Sequence, residues 1–148
     1  MPSRDAIHDS VKQALIRDRW QITDDPYVIS YGDRFLFIDL GMTSQFIGAK
    51  RDEQQLAIEI KGLQGRSVIA ELEQAIGQYV LYQLLLAQVD PERVLYLAIS
   101  EQTYGEIFQE AIGQLVLNDL PLNLLVVDVE YSEVKQWIPP LSEKRSNK

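Results

Sequence analysis

Hydrophobic residues recur at helical spacing near the start of the chain. Ile7, Val11 and Ala14 follow one another at intervals of four and three, and Leu15 lies beside Ala14. Side chains at these spacings share one face of an α-helix. Charged residues occupy many of the remaining positions. The pattern predicts an amphipathic helix over residues 6–19.

Shorter apolar runs bounded by turn residues come next. Residues 27–30 and 34–40 predict two strands joined by a turn at Gly32, which is a hairpin pattern. Residues 45–49 and 55–61 flank a charged turn and predict a second hairpin. The second strand of that hairpin ends in the sequence IEIK.

The second half of the chain combines apolar helices with buried strands. The predicted elements are a helix from Ser67, as N-cap, to about Val89, a strand over 93–99, a helical region over 100–119 broken near Gly113, a strand over 122–129 and an edge strand over 134–138. Strands that alternate with helices are typical of an α/β fold. We therefore expect one α/β domain over residues 1–140, with a mixed sheet flanked by helices, and a disordered tail over 141–148.

Two of the predicted helices carry nearly the same sequence. AIGQYVL over 75–81 and AIGQLVL over 111–117 differ at a single position. The sequences on either side of the two segments align poorly. We interpret this similarity as convergence of two helix-packing sequences and not as a duplication.

The composition excludes several kinds of site. The chain has no cysteine and only one histidine, His8, which excludes disulfides, thiolate metal sites and a zinc site of several imidazoles. No GxSxG motif accompanies His8. The N-terminal segment lacks an apolar signal core, and no apolar run approaches the roughly 20 residues that span a membrane. These features predict a cytoplasmic protein without membrane contact.

The formal net charge of −8 opposes simple binding of nucleic acid. Affinity for DNA comes largely from lysine and arginine side chains that neutralise phosphates. The residues that could form a basic track are Lys12, Arg17, Arg19, Lys61 and Arg66. A chain this acidic is expected to need a partner protein or a homo-oligomer to hold DNA firmly.

Two carboxylates and a lysine form the candidate chemistry. Asp39 ends the apolar run FLFID, and Glu59 and Lys61 are two apart on a predicted strand, so that their side chains leave the same face. Ile60 between them points to the opposite face and can pack into the core. Carboxylate and carbonyl oxygens are the ligands that Mg²⁺ prefers, and we expect Mg²⁺ or Mn²⁺ at Asp39, Glu59 and Ile60. Lys61 can orient the attacking water and offset charge on a phosphate.

A second ExK string shows how weak this motif is alone. Glu133 and Lys135 have the same spacing, on a predicted edge strand with no helix after it. We interpret that pair as the solvated face of the strand. The first pair differs because an aspartate on an apolar strand precedes it and a long helix follows it.

The long helix adds a polar pair to its apolar surface. Gln78 and Tyr82 are i and i+4 and share one face. A buried amide without hydrogen-bond partners costs on the order of 1–3 kcal/mol, so Gln78 is expected to bind a phosphate, a catalytic residue or the backbone. A core hydrogen-bond network, with Tyr82 as packing, is the structural alternative.

The order of these motifs resembles a known nuclease superfamily. A strand aspartate, ExK and a following QxxxY are similar to the RecB-like branch of the PD-(D/E)XK nucleases. More closely, the chain resembles XisH, the fdxN-element excision controlling factor family of cyanobacteria. The segments that carry this similarity are HDSVKQALIRDRW, DRFLFIDLG, LAIEIK, AIGQYVLY, PERVLYLAIS and IGQLVL. The similarity covers nearly the whole chain before Pro140.

The resemblance implies a restriction-endonuclease-like core and a role in programmed excision of a DNA element. It also implies a site-specific recombinase and a small companion protein, XisI, as partners. The residue roles that it implies are Asp39 and Glu59 as metal ligands, Lys61 as the catalytic lysine, and Gln78 and Tyr82 as the helix motif. The superfamily often adds an acidic residue or a histidine from the first helix, for which Asp9 is the stronger candidate and His8 the weaker. Ile38 stands where the superfamily name has proline.

Three interpretations are open at this point. The first is an enzyme that hydrolyses DNA phosphodiester bonds with a divalent cation. The second is a nuclease fold without catalysis that acts through a recombinase or companion protein, because a fold does not establish a function. The third is a structural α/β domain with chance carboxylates. The acidic net charge favours the second, and the intact set of motif residues favours the first.

Overall fold

Two ranges of the chain, 4–44 and 54–141, are described by the computed structural model. Within them the helices are α1 (Arg4–Arg17), α2 (Val68–Val89), α3 (Glu101–Glu106) and α4 (Ala111–Asp119), with a 3₁₀ turn at Ile107–Gln109. The strands are β1 (Trp20–Asp24), β2 (Tyr27–Tyr31), β3 (Arg34–Ile38), β4 (Leu40–Ser44), β5 (Gln55–Ile60), β6 (Val94–Ser100), β7 (Leu124–Asp128) and β8 (Glu133–Ile138). The predicted strand over 45–49 and the predicted tail from residue 142 onward lie outside the described residues.

Six strands form the main sheet, in the order β1-β4-β5-β6-β7-β8. The pairs β5–β6 and β6–β7 are parallel, and the pairs β1–β4, β4–β5 and β7–β8 are antiparallel. β2 and β3 form a separate two-stranded sheet, which is the predicted hairpin. Gly32 in its turn has a φ of +59°, which glycine adopts without steric cost. The expected mixed sheet is confirmed.

Each face of the main sheet is covered by its own layer. Alternation along β5 sends Ala57 to one face and Leu56, Ile58 and Ile60 to the other. The first face packs against α2, α4 and the β2–β3 hairpin, and the second face packs against α1. The predicted α/β fold with helices on both sides of the sheet is therefore confirmed, as is the burial of Ile60. Among the described helices, none is both long and apolar enough to cross a membrane.

The predicted strand over 34–40 is wrong at its end. β3 stops one residue before Asp39, Asp39 forms a bend, and β4 follows directly and pairs with β5. Two hydrogen bonds explain the bend. The Asp39 carboxylate accepts the N–H of Ile60 at 2.8 Å, and the Asp39 N–H donates to the Glu59 carboxylate at 3.3 Å. These two bonds fix the bend at which the chain passes from the β2–β3 hairpin into the main sheet.

The hydrophobic pattern did not predict β1. The first helix ends at Arg17, two residues before its predicted end, and Arg19 has a φ of +74° in the turn that follows. Along β1, Trp20 and Ile22 pack against the face of the sheet that α1 covers, while Gln21 between them faces solvent. Two apolar positions are a weak local indication of a strand. Antiparallel pairing with β4 supplies the remaining stabilisation.

The predicted break near Gly113 lies earlier in the chain. Glu110 has an extended backbone, with φ −82° and ψ 162°, and it precedes α4 as its N-cap. Gly113 lies inside α4 and is buried, because a Cβ at this position would overlap the carbonyl oxygen of Ile107 and the Cα of Phe108. Gly77, its counterpart in the similar sequence, is exposed with open space around it. The two similar segments therefore bury different faces, which agrees with convergence.

We expect Gly113→Ala to destabilise the protein by about 1–3 kcal/mol, because the added methyl group meets backbone that cannot rotate away. Gly77→Ala is the matched control in the same sequence context. There we expect helix propensity alone to stabilise the fold by up to about 1 kcal/mol. Thermal unfolding of the two variants measures the difference. Equal melting temperatures would show that α4 does not pack closely on the 3₁₀ turn.

Candidate active site

A cleft of about 460 Å³ opens at the carboxyl end of β5, beside α1 and the start of α2. Ligands in sheets with parallel strands commonly bind at the carboxyl ends of the strands. The chain leaves β5 at Lys61, whose N–H donates to the carbonyl of Ala98 in β6 at 3.0 Å. The cleft is lined by Ile7, His8, Asp39, Ile60, Lys61, Gly62, Leu63, Gln64, Gly65 and Glu71.

Asp39 lines this cleft, and the buried Glu59 lies next to it without lining the cleft. Asp39 Oδ2 accepts from the Ile60 N–H at 2.8 Å, and the Asp39 N–H donates to Glu59 Oε1 at 3.3 Å. A main-chain N–H therefore orients each carboxylate. The Ile60 N–H, next to Glu59, binds the Asp39 carboxylate, and the Asp39 N–H binds the Glu59 carboxylate. The two acids lie side by side where the bend meets β5.

Lys61 completes the predicted trio. Its Nζ lies 3.4 Å from Glu59 Oε2, as expected for side chains on the same face of a strand. Glu59 is only 5% exposed, and its burial raises its pKa to about 7. The negative charge of Asp39 also raises this pKa, whereas Lys61 and the Asp39 N–H lower it. The structure therefore brings Asp39, Glu59 and Lys61 together: Asp39 and Lys61 line the cleft, and the buried Glu59 contacts both of them without lining it.

α1 contributes His8 to the cleft rather than Asp9. His8 Nδ1 lies 4.0 Å from Asp39 Oδ1, and His8 Nε2 lies 3.0 Å from Asp25 Oδ1. Lys12, one helical turn further along, contacts Asp25 Oδ2 at 2.7 Å. Asp9 is exposed and does not line the cleft. The weaker of the two sequence candidates is thus the one at the site.

Two residues near the cleft were missed by the sequence analysis. Asp25 precedes Pro26 in a segment that looks like an ordinary turn, and Glu71 is one of several polar residues at the start of α2. The one available indication was the spacing of His8 and Lys12, which puts two polar side chains on the same face of α1. Such a pair is compatible with a shared acidic partner, but the sequence does not say which one.

Gln78 and Tyr82 share a face of α2, yet neither lines the cleft. Tyr82 is buried in the core between α2 and the sheet. Gln78 is half-buried, and its Oε1 is buried without a hydrogen-bond partner among residues 4–44 and 54–141. The structure places this pair in the helix–sheet layer, apart from the cleft wall.

The predicted basic track is divided in the structure. Lys12 and Lys61 contact carboxylates beside the cleft. Arg17 instead donates to main-chain carbonyls in the turn between β7 and β8, at 2.7 and 3.2 Å. The remaining two, Arg19 and Arg66, are exposed. The described part of the chain therefore shows separate basic groups and no continuous stripe through these five residues.

The second ExK pair differs from the first in its surroundings. Lys135 Nζ lies 3.9 Å from Glu133 Oε1, and the two side chains are 40% and 51% exposed. Both are on β8, the edge strand of the main sheet. The prediction of a solvated strand face is confirmed.

The donor set at the cleft fits a divalent cation that keeps part of its water shell. Asp39 and Glu59 offer hard oxygen donors, and Mg²⁺ is usually held by one or two carboxylates together with water. The Ile60 carbonyl is a further oxygen in the same stretch of chain. Within the described ranges, no three histidine or acidic side chains cluster closely enough to hold an ion by themselves. Asp39 and Glu59 are thus the protein ligands that this site can supply most directly.

The fold and the cleft define a class of protein: a mixed α/β domain whose sheet carries paired carboxylates and a lysine at the end of a parallel strand. The model of the XisH protein family matches residues 1–135. The chain therefore belongs to the XisH family.

Two solved crystal structures resemble this one over most of its length. An fdxN element excision controlling factor protein from Anabaena variabilis is 38% identical, with a TM-score of 0.81, over 91% of this chain and 99% of that one. An XisH family protein from Nostoc punctiforme is 35% identical, with a TM-score of 0.79, over 90% of this chain and 98% of that one. A search of curated proteins found no match.

Proposed function

We propose that this protein takes part in excision of a DNA element as a divalent-cation-dependent endonuclease. The observation that carries the proposal is that Asp39 and Lys61 line one cleft and both contact Glu59, which is buried next to them. The similar protein from Anabaena variabilis is an excision controlling factor. Excision of DNA requires phosphodiester bonds to be broken, which is chemistry that this set of residues suits.

In the proposed reaction, a water oxygen forms a bond to phosphorus while the bond from phosphorus to the leaving oxygen breaks. The attacking water gives up a proton, and the leaving oxygen takes one up, so that no net proton is consumed in the step. Asp39 and Glu59 would hold Mg²⁺ or Mn²⁺, which when bound polarises the phosphate and makes water more acidic. Lys61 donates hydrogen bonds to the attacking water or to a phosphate oxygen, and its charge offsets the charge that develops there. The Ile60 N–H holds the Asp39 carboxylate in place before substrate arrives.

The charge of this chain is unfavourable for the DNA binding that a nuclease requires. Its net charge of −8 repels phosphates, and the basic side chains at the cleft already contact carboxylates. We therefore propose that a companion protein of the XisI kind supplies much of the basic surface, since a second copy of this chain would bring a further net charge of −8. The site-specific recombinase would then act on the same DNA element.

The test of the proposed function is ion binding together with DNA cleavage. We expect Asp39→Asn to weaken Mg²⁺ or Mn²⁺ binding by roughly tenfold or more, because one charged ligand is lost while the amide oxygen can still accept from Ile60. Asp33→Asn, in the exposed hairpin turn, is the matched control. Calorimetry measures binding, and a nicking assay with the companion protein measures cleavage. Unchanged ion affinity in Asp39→Asn would refute the assignment.

A second candidate function is a nuclease fold that recruits partners without cutting. It is favoured by the net charge and by the lack of a three-ligand cluster among the described residues. In that case the cleft binds a partner or a DNA end, and the carboxylates serve only to shape it. Normal excision of the element in cells that carry Asp39→Asn would establish this second candidate.

A further inference from the structure

Thr103 is one of two polar or charged side chains that are buried in the described part of the chain, the other being Glu59. It belongs to α3, and only 1% of it is exposed. Its hydroxyl donates to the carbonyl of Gly62 at 3.1 Å. Gly62 follows Lys61 directly and lines the cleft. This buried hydroxyl therefore contacts the main chain next to the lysine of the proposed site.

The Thr103 hydroxyl is itself oriented by Ser100. The Ser100 hydroxyl donates to Thr103 Oγ1 at 3.1 Å and accepts the N–H of Thr103 at 3.0 Å. A hydroxyl has one proton to donate and can accept at the same time. Because Thr103 Oγ1 accepts from Ser100, its own proton is directed at Gly62. α3 thus presents a fixed hydrogen-bond donor to the loop that follows β5.

The main chain is held on both sides of Lys61. The Lys61 N–H donates to the carbonyl of Ala98 in β6 at 3.0 Å, and the next carbonyl, that of Gly62, accepts from Thr103. The Lys61 side chain reaches from this point to Glu59 Oε2 at 3.4 Å. A lysine stem is flexible, so the place of the ammonium depends on how firmly its main chain is fixed.

Leu63, the next residue, adopts an unfavourable backbone conformation. Its φ is +54°, in the left-handed region that a leucine rarely occupies. The side chain is buried in the core between α2 and the sheet. Such a conformation persists only where the surrounding contacts hold it. Loss of the hydrogen bond to Gly62 would let this turn relax and would move the end of β5 that carries Lys61.

We propose that Thr103 is a positioning residue for Lys61, which fixes the main chain through the Gly62 carbonyl and so holds the ammonium at the cleft before substrate binds. The inference rests on the proposed function, since that function gives Lys61 its part in cleavage. Thr103 itself does not line the cleft. A contact outside the cleft can still control the rate, because a displacement of about 1 Å can slow a reaction by roughly 100-fold.

A purely structural role for Thr103 makes a different prediction. Removing the hydroxyl takes a donor away from the Gly62 carbonyl, which lowers the melting temperature in either case. With a structural role alone, the molecules that remain folded would cleave DNA at the wild-type rate. Ser100→Ala is the matched control, because it removes the N-cap of α3 and leaves the donor to Gly62 in place. We expect it to lower the melting temperature without changing cleavage.

The first experiment is steady-state DNA cleavage by the full chain with its companion protein, at a temperature where every variant is folded. We expect Thr103→Val to lower kcat by about tenfold or more and to leave KM within about twofold of wild type. Thr103→Ala also removes the hydroxyl and should show the same loss. Thr103→Ser keeps the donor and should restore most of kcat. Wild-type kcat in Thr103→Val and Thr103→Ala, or a loss that serine does not restore, would overturn the inference.

A double variant tests whether the effect passes through Lys61. Lys61→Met combined with Thr103→Val should cleave no more slowly than Lys61→Met alone, because the hydroxyl acts by placing an ammonium that is already absent. Losses that multiply in the double variant would show that Thr103 acts by another route.

The second experiment measures positioning without cleavage. The ¹³Cε NMR signal of Lys61 is assigned by its disappearance in Lys61→Met. We expect Thr103→Val to shift this signal and Thr103→Ser to return it toward the wild-type position. An unchanged signal in Thr103→Val would overturn the inference whether or not the protein cuts DNA. A shifted signal in a protein that cuts no DNA would support the positioning role and refute the nuclease.

Discussion

Replacing Lys61 with methionine is expected to lower DNA cleavage by a factor of roughly 100 or more, the scale of lost acid–base or electrostatic help. Methionine keeps much of the packing of the lysine stem but removes the ammonium that lies 3.4 Å from Glu59 Oε2. DNA affinity should fall far less. Losing one phosphate contact from several reduces the salt dependence of binding by about one unit of slope. Cleavage and binding measured on the same DNA therefore separate a catalytic lysine from a binding lysine.

The chain contains its own matched control for this substitution. Lys135 occupies the same place in the second ExK string but is 40% exposed on the edge strand. We expect Lys135→Met to cut DNA as well as wild type does. An equal fall in both variants would mean that total charge matters and the cleft does not. Two results together would contradict the enzyme proposal. In the first, wild type with its companion protein cuts no DNA with Mg²⁺ or Mn²⁺. In the second, Lys61→Met excises the element normally in cells.

Replacing Glu59 with glutamine is expected to make the ion-free protein more stable than wild type at pH 8, by on the order of 2–3 kcal/mol. The pKa of Glu59 is raised from an ordinary 4.5 to about 7 in the folded state, first by burial and then by the charge of Asp39. The folded protein therefore holds a proton that the unfolded chain releases between these pH values. The contribution of Glu59 to the free energy of unfolding is fully present below about pH 4.5. It is lost as the pH rises through about 7. Glutamine stays neutral and can still accept from the Asp39 N–H.

Denaturant unfolding at pH 5 and pH 8 in the presence of a chelator measures this effect as a difference between variant and wild type. Glu133→Gln, at a side chain that is 51% exposed, should show no such pH-dependent difference. Added Mg²⁺ or Mn²⁺ should then stabilise wild type more than Glu59→Gln at pH 8, because an ion that binds only the folded state raises its stability. A pH-independent difference between Glu59→Gln and wild type would refute the raised pKa.

Local patterns predicted the parts of the site whose members are close in sequence. Strand alternation put Glu59 and Lys61 on one face, and the structure has them in contact. The start of the long helix was also predicted, since Ser67 accepts the N–H of Ala70 at 3.2 Å as an N-cap does. The β2–β3 hairpin followed from its turn residue in the same way. These features depend on neighbours within a few residues, which a sequence displays directly.

Long-range contacts decided how the remaining parts of the site meet. Asp39 and Glu59 are 20 residues apart, and their contact depends on the bend that sends the chain from the hairpin into the main sheet. The hydrophobic pattern alone predicts one continuous strand through that bend, because Leu40 and Met42 are as apolar as the residues of β3. A hydrogen bond from a main-chain N–H to a distant side chain leaves no local pattern.

The sequence by itself determined the class of fold, the order of the elements apart from β1 and the separate β4, and the shared face of the ExK pair, because backbone geometry sets these from local spacing. The tertiary structure decided that His8 faces the cleft while Asp9 faces solvent, and that Asp25 meets His8. Adjacent residues on a helix point about 100° apart. Only the packing of α1 against the sheet selects which of the two turns toward Asp39.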